Sequence, residues 1–347
     1  MFSKKKENSN VFAVDFGANS IKVVKLKDVE KNPTVVSFGS IPMPQGAYSS
    51  ENEQHKKEIS LALSSLIKDL NLGTKNVSTS LPDSSIFTRV IKIPAQKESD
   101  LEEAVFWASK RNVPIPLEDV QIDWSIVNSN TTDGLTQYDI LLVAAPKLLI
   151  NRYVDILTLA GLDPTFIETE SLSLVRSMSS LNDPSPSIIL DFGYNSINLV
   201  FAYRKNLLFN QTISTGSSVI TKAISQEFNL EEIQAEEYKK NYGLDANQLE
   251  GKIYRTITPI MDSIINEIKR IINAYRSTNI GDLPSKIILV GNGSMLPGLV
   301  LYLAQNLNME VEVGNPYSGV YINPELKNRM PVLLPGYAVS IGLALKT

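Results

Sequence analysis

The alternation of apolar and polar positions along this chain happens twice. Val11-Phe12-Ala13-Val14 is a β-branched and aromatic run, interrupted by the polar stretch from Asp15 to Ser20 and resumed at Ile21. That pattern predicts strand, tight glycine-containing turn, strand. A third strand is expected over 34–38, and helical spacing follows over 56–70. The succession restarts at Ile188-Ile189-Leu190, crosses Asp191 to Ser196, resumes at Ile197, and leads to a strand over 207–213 and a helix over 217–228. Further on, Ile257, Ile260, Met261, Ile264, Ile265, Ile268, Ile271 and Ile272 form one apolar helix face within a helical region over 220–274. That face suits burial against the strand expected over 286–290, with a coiled-coil partner as the other use. Residues 337–347 read as a closing core helix.

The two restarts share a heptapeptide. Asp15-Phe16-Gly17-Ala18-Asn19-Ser20-Ile21 returns as Asp191-Phe192-Gly193-Tyr194-Asn195-Ser196-Ile197, changed only at Ala18 against Tyr194. One such turn is ordinary hairpin chemistry, but two, each with apolar flanks and about half a chain apart, indicate two halves of one α/β architecture with a cleft between them. Turn amides around Gly17, Ala18 and Asn19, and around Gly193, Tyr194 and Asn195, together with the hydroxyls of Ser20 and Ser196, can cradle anionic oxygens. Asp15 and Asp191 at the strand ends can hold hydrated Mg2+. Lys22 can reach a terminal phosphate, whereas the second copy has Asn198 at that position. A third element, a strand running into Gly291-Asn292-Gly293-Ser294-Met295 and then a helix, offers amides to an anionic or ribose-bearing ligand.

Composition narrows the classes. A chain of 347 residues exceeds what one core usually fills, so two lobes are expected. A hydrophobic share of 43% supports a large core, and a net charge of -4 leaves no basic field for nucleic acid. With no cysteine, disulfides, thiolate zinc sites and cysteine nucleophiles are excluded, and a reducing, cytoplasmic setting fits. The one histidine, His55, lies in a charged run and reads as an exposed bystander, which leaves nothing for a Ser-His-Asp triad or a histidine metal site. It also leaves no His-Arg-Asp loop to accompany Asp-Phe-Gly in a protein kinase, and no P-loop motif occurs. Residues 1–10 read as a loose tail, and no apolar run approaches a membrane span, so a membrane is reached only through a partner.

Together the three segments resemble the actin-like ATPase superfamily, Asp15 to Lys22 looking like its first phosphate motif, Asp191 to Ser196 its second and Gly291 to Met295 its adenosine motif. Within it, residues 12–345 resemble the PilM family of type IV pilus assembly. The narrower likeness is carried by Val77-Ser78-Thr79-Ser80-Leu81-Pro82, Arg111-Asn112-Val113-Pro114 and Leu141-Leu142-Val143-Ala144-Ala145-Pro146-Lys147. These look like the small subdomain that PilM shares with the division protein FtsA. The resemblance implies a duplicated, ribonuclease H-like two-lobe fold: residues 11–75 and 163–185 the first lobe, 76–162 the inserted subdomain, 186–347 the second lobe with helices over 217–280. It implies ATP or ADP with Mg2+, Glu236 at the ribose, Lys239 on the adenosine side, and Gly216 among the nucleotide-contacting positions. Glu170 falls where the family has an acid near the attacking water, so weak ATPase activity stays open. The partner implied is the cytoplasmic tail of an inner-membrane PilN-like protein, with self-association open. A filament-forming division protein and a small-molecule phosphotransferase are the alternatives. The chain departs from the family in Gly291-Asn292-Gly293-Ser294, where a glycine run is common, and in Gln211, where an arginine is common.

The inserted subdomain carries Ser99-Asp100-Leu101-Glu102, a capping-box pattern, followed by Leu101, Ala104, Val105 and Ala108 at helical spacing. Phe106 and Trp107 lie beside that stripe and suit either core or a partner groove. Residues 128–137 read as a hairpin tip and 182–187 as the boundary between halves.

Overall fold

The computed structural model describes residues 2–3, 10–95, 98–132, 135–278, 283–327 and 335–346; most of the expected N-terminal tail, and the tip of the 128–137 hairpin, lie outside them. The duplication read from the heptapeptide is a duplication of topology. In the first sheet Thr34–Pro42, Ser20–Lys27, Phe12–Phe16, Asn76–Leu81 and Asp163–Thr169 lie side by side, with Tyr321–Ile322 and Phe2–Ser3 added at the two edges. In the second sheet Asn206–Ile213, Ile197–Tyr203, Ser187–Phe192, Lys286–Val290 and Glu310–Val313 follow the same order. In both, the first three strands are antiparallel and the next two join in parallel. Equivalent residues hold equivalent registers: Asp15 pairs with Lys22, and Asp191 with Asn198.

The central strands Phe12–Phe16, Asn76–Leu81, Ser187–Phe192 and Lys286–Val290 are buried almost throughout, as strands covered on both faces require, whereas the edge strand Glu310–Val313 is largely exposed. The 27-residue helix Lys252–Thr278 lays Ile257, Met261, Ile264, Ile268 and Ile271 on Leu199, Phe201, Ile287 and Leu289, with Ile260 at the rim. This is the use expected of its apolar face. The helical region resolves into Ser217–Phe228, Glu232–Tyr242 and this long helix. The first-lobe helix begins earlier than its apolar stripe, at Glu53, because the Asn52 side chain accepts from the Gln54 amide and caps it. The helix Ala338–Ala344 is buried throughout and sits with Leu174, Val175 and Val200 between the lobes, closing the core as expected.

A three-stranded sheet, Phe87–Ala95, Leu135–Pro146 and Val120–Thr132, forms the inserted subdomain with helix Leu101–Asn112 on one face. Three details differ from the sequence reading. Asn76–Leu81, grouped above with the inserted subdomain, pairs with Phe12–Phe16 and Asp163–Thr169 inside the first sheet. The capping box does not form: Asp100 makes no side-chain cap, and the Ser99 hydroxyl donates to the Asp100 carboxylate instead. Phe106 and Trp107 are not core but 49% and 52% exposed, with Lys110 over both rings.

Candidate functional site

Both hairpin turns close with the same hydrogen bond: the Gly17 amide donates to the Ser20 carbonyl at 3.0 Å, and the Gly193 amide to the Ser196 carbonyl at 3.0 Å. The second turn is braced from behind by a helix start, since the Ser217 and Ser218 amides donate to the Gly193 and Tyr194 carbonyls. A Cβ on Gly216 would run into the Tyr194 carbonyl and the backbone of Asn195 and Ser196, so only glycine lets that helix approach. The strand Lys286–Val290 ends at Gly291, which has φ +83° and passes against Asp191 and Phe192. Its amide donates to the Pro335 carbonyl at 3.1 Å.

These pieces enclose a cleft of about 350 Å3 between the lobes. Asp15, Gly17, Ala18, Asn19, Ser20 and Lys22 line one wall, and Asp191, Gly193, Tyr194, Asn195 and Ser196 face them. Gly291, Asn292, Gly293 and Met295 with Glu236 and Lys239 line the far end, and Glu170 lies at the bottom between the turns. Two expected residues stand behind the wall. Gly216 shapes the second turn, and buried Ser294 donates its hydroxyl to the Gly291 carbonyl. Gln211 is exposed on its strand and does not line the cleft, so that departure from the family lies elsewhere.

The electrostatics follow from bringing carboxylates together in a confined space. Burial raises Asp15 above its ordinary value, against the pull of Lys22, whose ammonium is 3.5 Å away. Burial, and then the charge of Asp15, pushes Asp191 up to about 6. Glu170 is pushed well above the carboxylate range by burial and by Asp83, Asp15 and Asp191. At the far end burial works to raise Glu236, yet hydrogen bonds from Lys239 and Thr221 outweigh it and hold the group low. Lys239, itself buried, also donates to the Ser217 carbonyl and the Thr221 hydroxyl.

Among the described residues no cluster of three or more acidic or histidine side chains is built to hold a bare metal ion. Two facing carboxylates next to open cleft fit a hydrated cation instead, which needs few protein ligands because it keeps its waters.

Four participants escaped the sequence reading. Asn198 donates to Glu170 Oε2 at 3.1 Å, and its own oxygen accepts from the Thr212 hydroxyl at 2.7 Å. The Asp83 amide donates to the same Glu170 oxygen at 3.3 Å, and burial raises the Asp83 carboxyl to about 7. Tyr48 and the Pro335-Gly336 turn also line the cleft. The difference between Asn198 and Lys22 in the two copies was the only available signal for any of them.

Comparison with known proteins bears on this arrangement. A PilM–PilN type IV pilus biogenesis complex superposes with a TM-score of 0.85 at 24% identity, covering 97% of this chain and 98% of that one. MreB5 of Spiroplasma citri, bound to ADP, reaches a TM-score of 0.50 at 8% identity over 96% and 94% of the two chains. At such identities the likeness is one of fold, the two-lobe actin-like fold. The Bacillus subtilis cell division protein FtsA is 26% identical over 200 residues, which is 52% of this chain and 45% of that protein. The chain thus spans under half the length of that curated relative. The sequence pattern of the type IV pilus assembly protein PilM extends over residues 13–347, taking in both hairpins, the inserted subdomain and the closing helix, and the chain therefore belongs to the PilM family.

Proposed function

We propose that the cleft binds ATP or ADP, with hydrated Mg2+ held through water by Asp15 and Asp191, and that the nucleotide sets the relative position of the lobes. The chain then serves as a cytoplasmic scaffold of type IV pilus assembly, binding the tail of an inner-membrane PilN-like protein and reaching the membrane through it. The observation that carries this reading is the placement of the two heptapeptide turns on opposite walls of one cleft with both carboxylates inside it. The nucleotide seen in the MreB5 relative and the partner seen in the PilM–PilN relative support it. No helix among the described residues is long and apolar enough to cross a membrane.

The phosphates would rest on the turn amides of Gly17 to Asn19 and Gly193 to Asn195, with Lys22 as the cation and Glu236 and Lys239 toward the nucleoside. Glu170 would meet the water beside the terminal phosphate. Burial and the neighbouring carboxylates raise its pKa, which shifts the group toward the protonated form, able to orient that water. For the partner tail, an apolar groove of about 170 Å3 runs between the inserted sheet and the first lobe, lined by Ile86, Trp124, Leu141, Val143, Ile167 and Leu172. An extended segment with apolar side chains suits it.

The test is calorimetric titration of ATP and Mg2+ into the wild type, Asp15→Ala and Asp191→Ala, repeated with a synthetic PilN-like tail. Each substitution is expected to weaken nucleotide binding at least tenfold, and undiminished binding in both would refute a two-sided phosphate site.

A further inference from the structure

The inserted subdomain leaves the first lobe through the turn Asp83–Ser85, which joins the sheet strand Asn76–Leu81 to Phe87–Ala95, first strand of the inserted sheet. At its first residue that turn is pinned to the cleft. The Asp83 amide donates to Glu170 Oε2, the oxygen that also accepts from Asn198 of the second lobe. The Asp83 side chain is pinned as well, because Oδ2 accepts from the Ser171 hydroxyl, which in turn accepts from Asn210 Nδ2 of the second lobe at 3.2 Å. Asp83 Oδ1 is buried without a hydrogen-bond partner, beside a cavity of about 1060 Å3 between the inserted sheet and the second-lobe strand Asn206–Ile213.

We propose that Asp83 is the positioning residue through which the nucleotide cleft sets the orientation of the inserted subdomain. The inference rests on nucleotide binding in the cleft. Its physical content is competition for one oxygen. The waters of a hydrated cation arriving beside Glu170 are new hydrogen-bond donors, and one accepted at Oε2 competes there with Asn198 and the Asp83 amide. Loss of the amide frees the turn, while the Ser171 bond, made to the residue after Glu170, forces it to follow the start of helix Glu170–Met178. A buried carboxylate oxygen without a donor carries a cost that a shift of the turn toward the cavity would relieve, by opening Oδ1 to water or to the Thr88 hydroxyl, another buried group without a partner there. The apolar groove feels the movement directly, because Ile86 lies three residues beyond Asp83, and Thr169 and Leu172 flank Glu170 and Ser171.

Hydrogen–deuterium exchange over Phe87–Ala95, with and without the non-hydrolysable analogue AMPPNP and Mg2+, tests this on the full chain. In the wild type and in Asp83→Asn, which keeps an acceptor oxygen for Ser171, nucleotide is expected to change exchange about fivefold. In Ser171→Ala and Asp83→Ala the change should fall below twofold, while calorimetry shows AMPPNP affinity of Ser171→Ala within about threefold of the wild type. An equal nucleotide response in all four proteins overturns the proposal, as does no response in the wild type despite measured binding. Absence of binding in the wild type is a separate result, which removes the cleft reading and this inference together.

Discussion

Asp191→Asn separates the stability of the nucleotide-free chain from its binding, and the structure fixes the sign of both effects. Burial and the neighbouring Asp15 push the Asp191 carboxyl from 3.8 to about 6. A group with a raised pKa stabilises the fold while protonated; that contribution is complete below about pH 3.8 and lost as pH rises through 6. At about 1.4 kcal/mol per pKa unit, the ionised side chain costs the fold about 3 kcal/mol at pH 8. This is an upper bound, because Asp191 keeps one side toward the water of the cleft and solvent screens it. Asparagine has the same shape and never ionises, so it removes the cost. With about 2.1 cal/mol/K of unfolding entropy per residue over 347 residues, Tm should rise by up to about 4 °C at pH 8, about half that at pH 5 and none below about pH 4. Scanning calorimetry of the apo protein at the three pH values measures this, and ATP–Mg2+ titration of the same samples should show affinity reduced at least about tenfold. A Tm at pH 8 that is unchanged or lower would refute the desolvated, like-charged cleft.

Gly291→Ala should be destabilising and binding-defective, since Gly291 adopts φ +83° and a Cβ there meets the Asp191 carboxylate and, at 2.7 Å, the Phe192 carbonyl. A loss of about 1–3 kcal/mol in urea denaturation is expected. Lys239→Met removes the ammonium 2.6 Å from Glu236, so Glu236 should titrate at higher pH by NMR and the nucleoside end of the cleft should bind less tightly, by about tenfold. Replacing Phe106 and Trp107 together by serine should change unfolding free energy by less than about 1 kcal/mol, because both rings are about half exposed; a larger loss would return them to the core.

The hairpins were legible because their signal is local: a polar heptapeptide between β-branched runs needs no distant partner to be recognised. Asn76–Leu81 was misplaced for the opposite reason. Family resemblance groups it with the inserted subdomain, yet its Ser78, Thr79 and Ser80 are all buried, and Thr79 donates its hydroxyl to the Val14 carbonyl at 2.8 Å. Their burial is imposed by strands that begin far away in the chain. The same holds for Asp83, an ordinary turn residue by sequence, whose environment is made by Glu170 and Ser171, 87 and 88 positions on. Phe106 and Trp107 fell outside because the small inserted sheet offers its helix only one face to cover, and the stripe of Leu101, Val105 and Ala108 fills it.

Duplication of the fold did not carry duplication of chemistry, and the divergence is concentrated at one paired position. Opposite Asp15 stands Lys22, a cation close enough to offset part of the cost of burying that carboxylate. Opposite Asp191 stands Asn198, which offers no charge and instead spends its amide on Glu170 and its oxygen on Thr212. The first half-site therefore offsets its own carboxylate, whereas the second has no cation opposite Asp191 and must draw positive charge from Lys22 across the cleft or from a cation brought by a ligand. An exchange to lysine at 198 would settle Asp191 but remove the donor that holds Glu170 between the turns. If the cleft binds nucleotide as proposed, this asymmetry would favour cation and nucleotide arriving together, while the uncharged half holds Glu170 through Asn198.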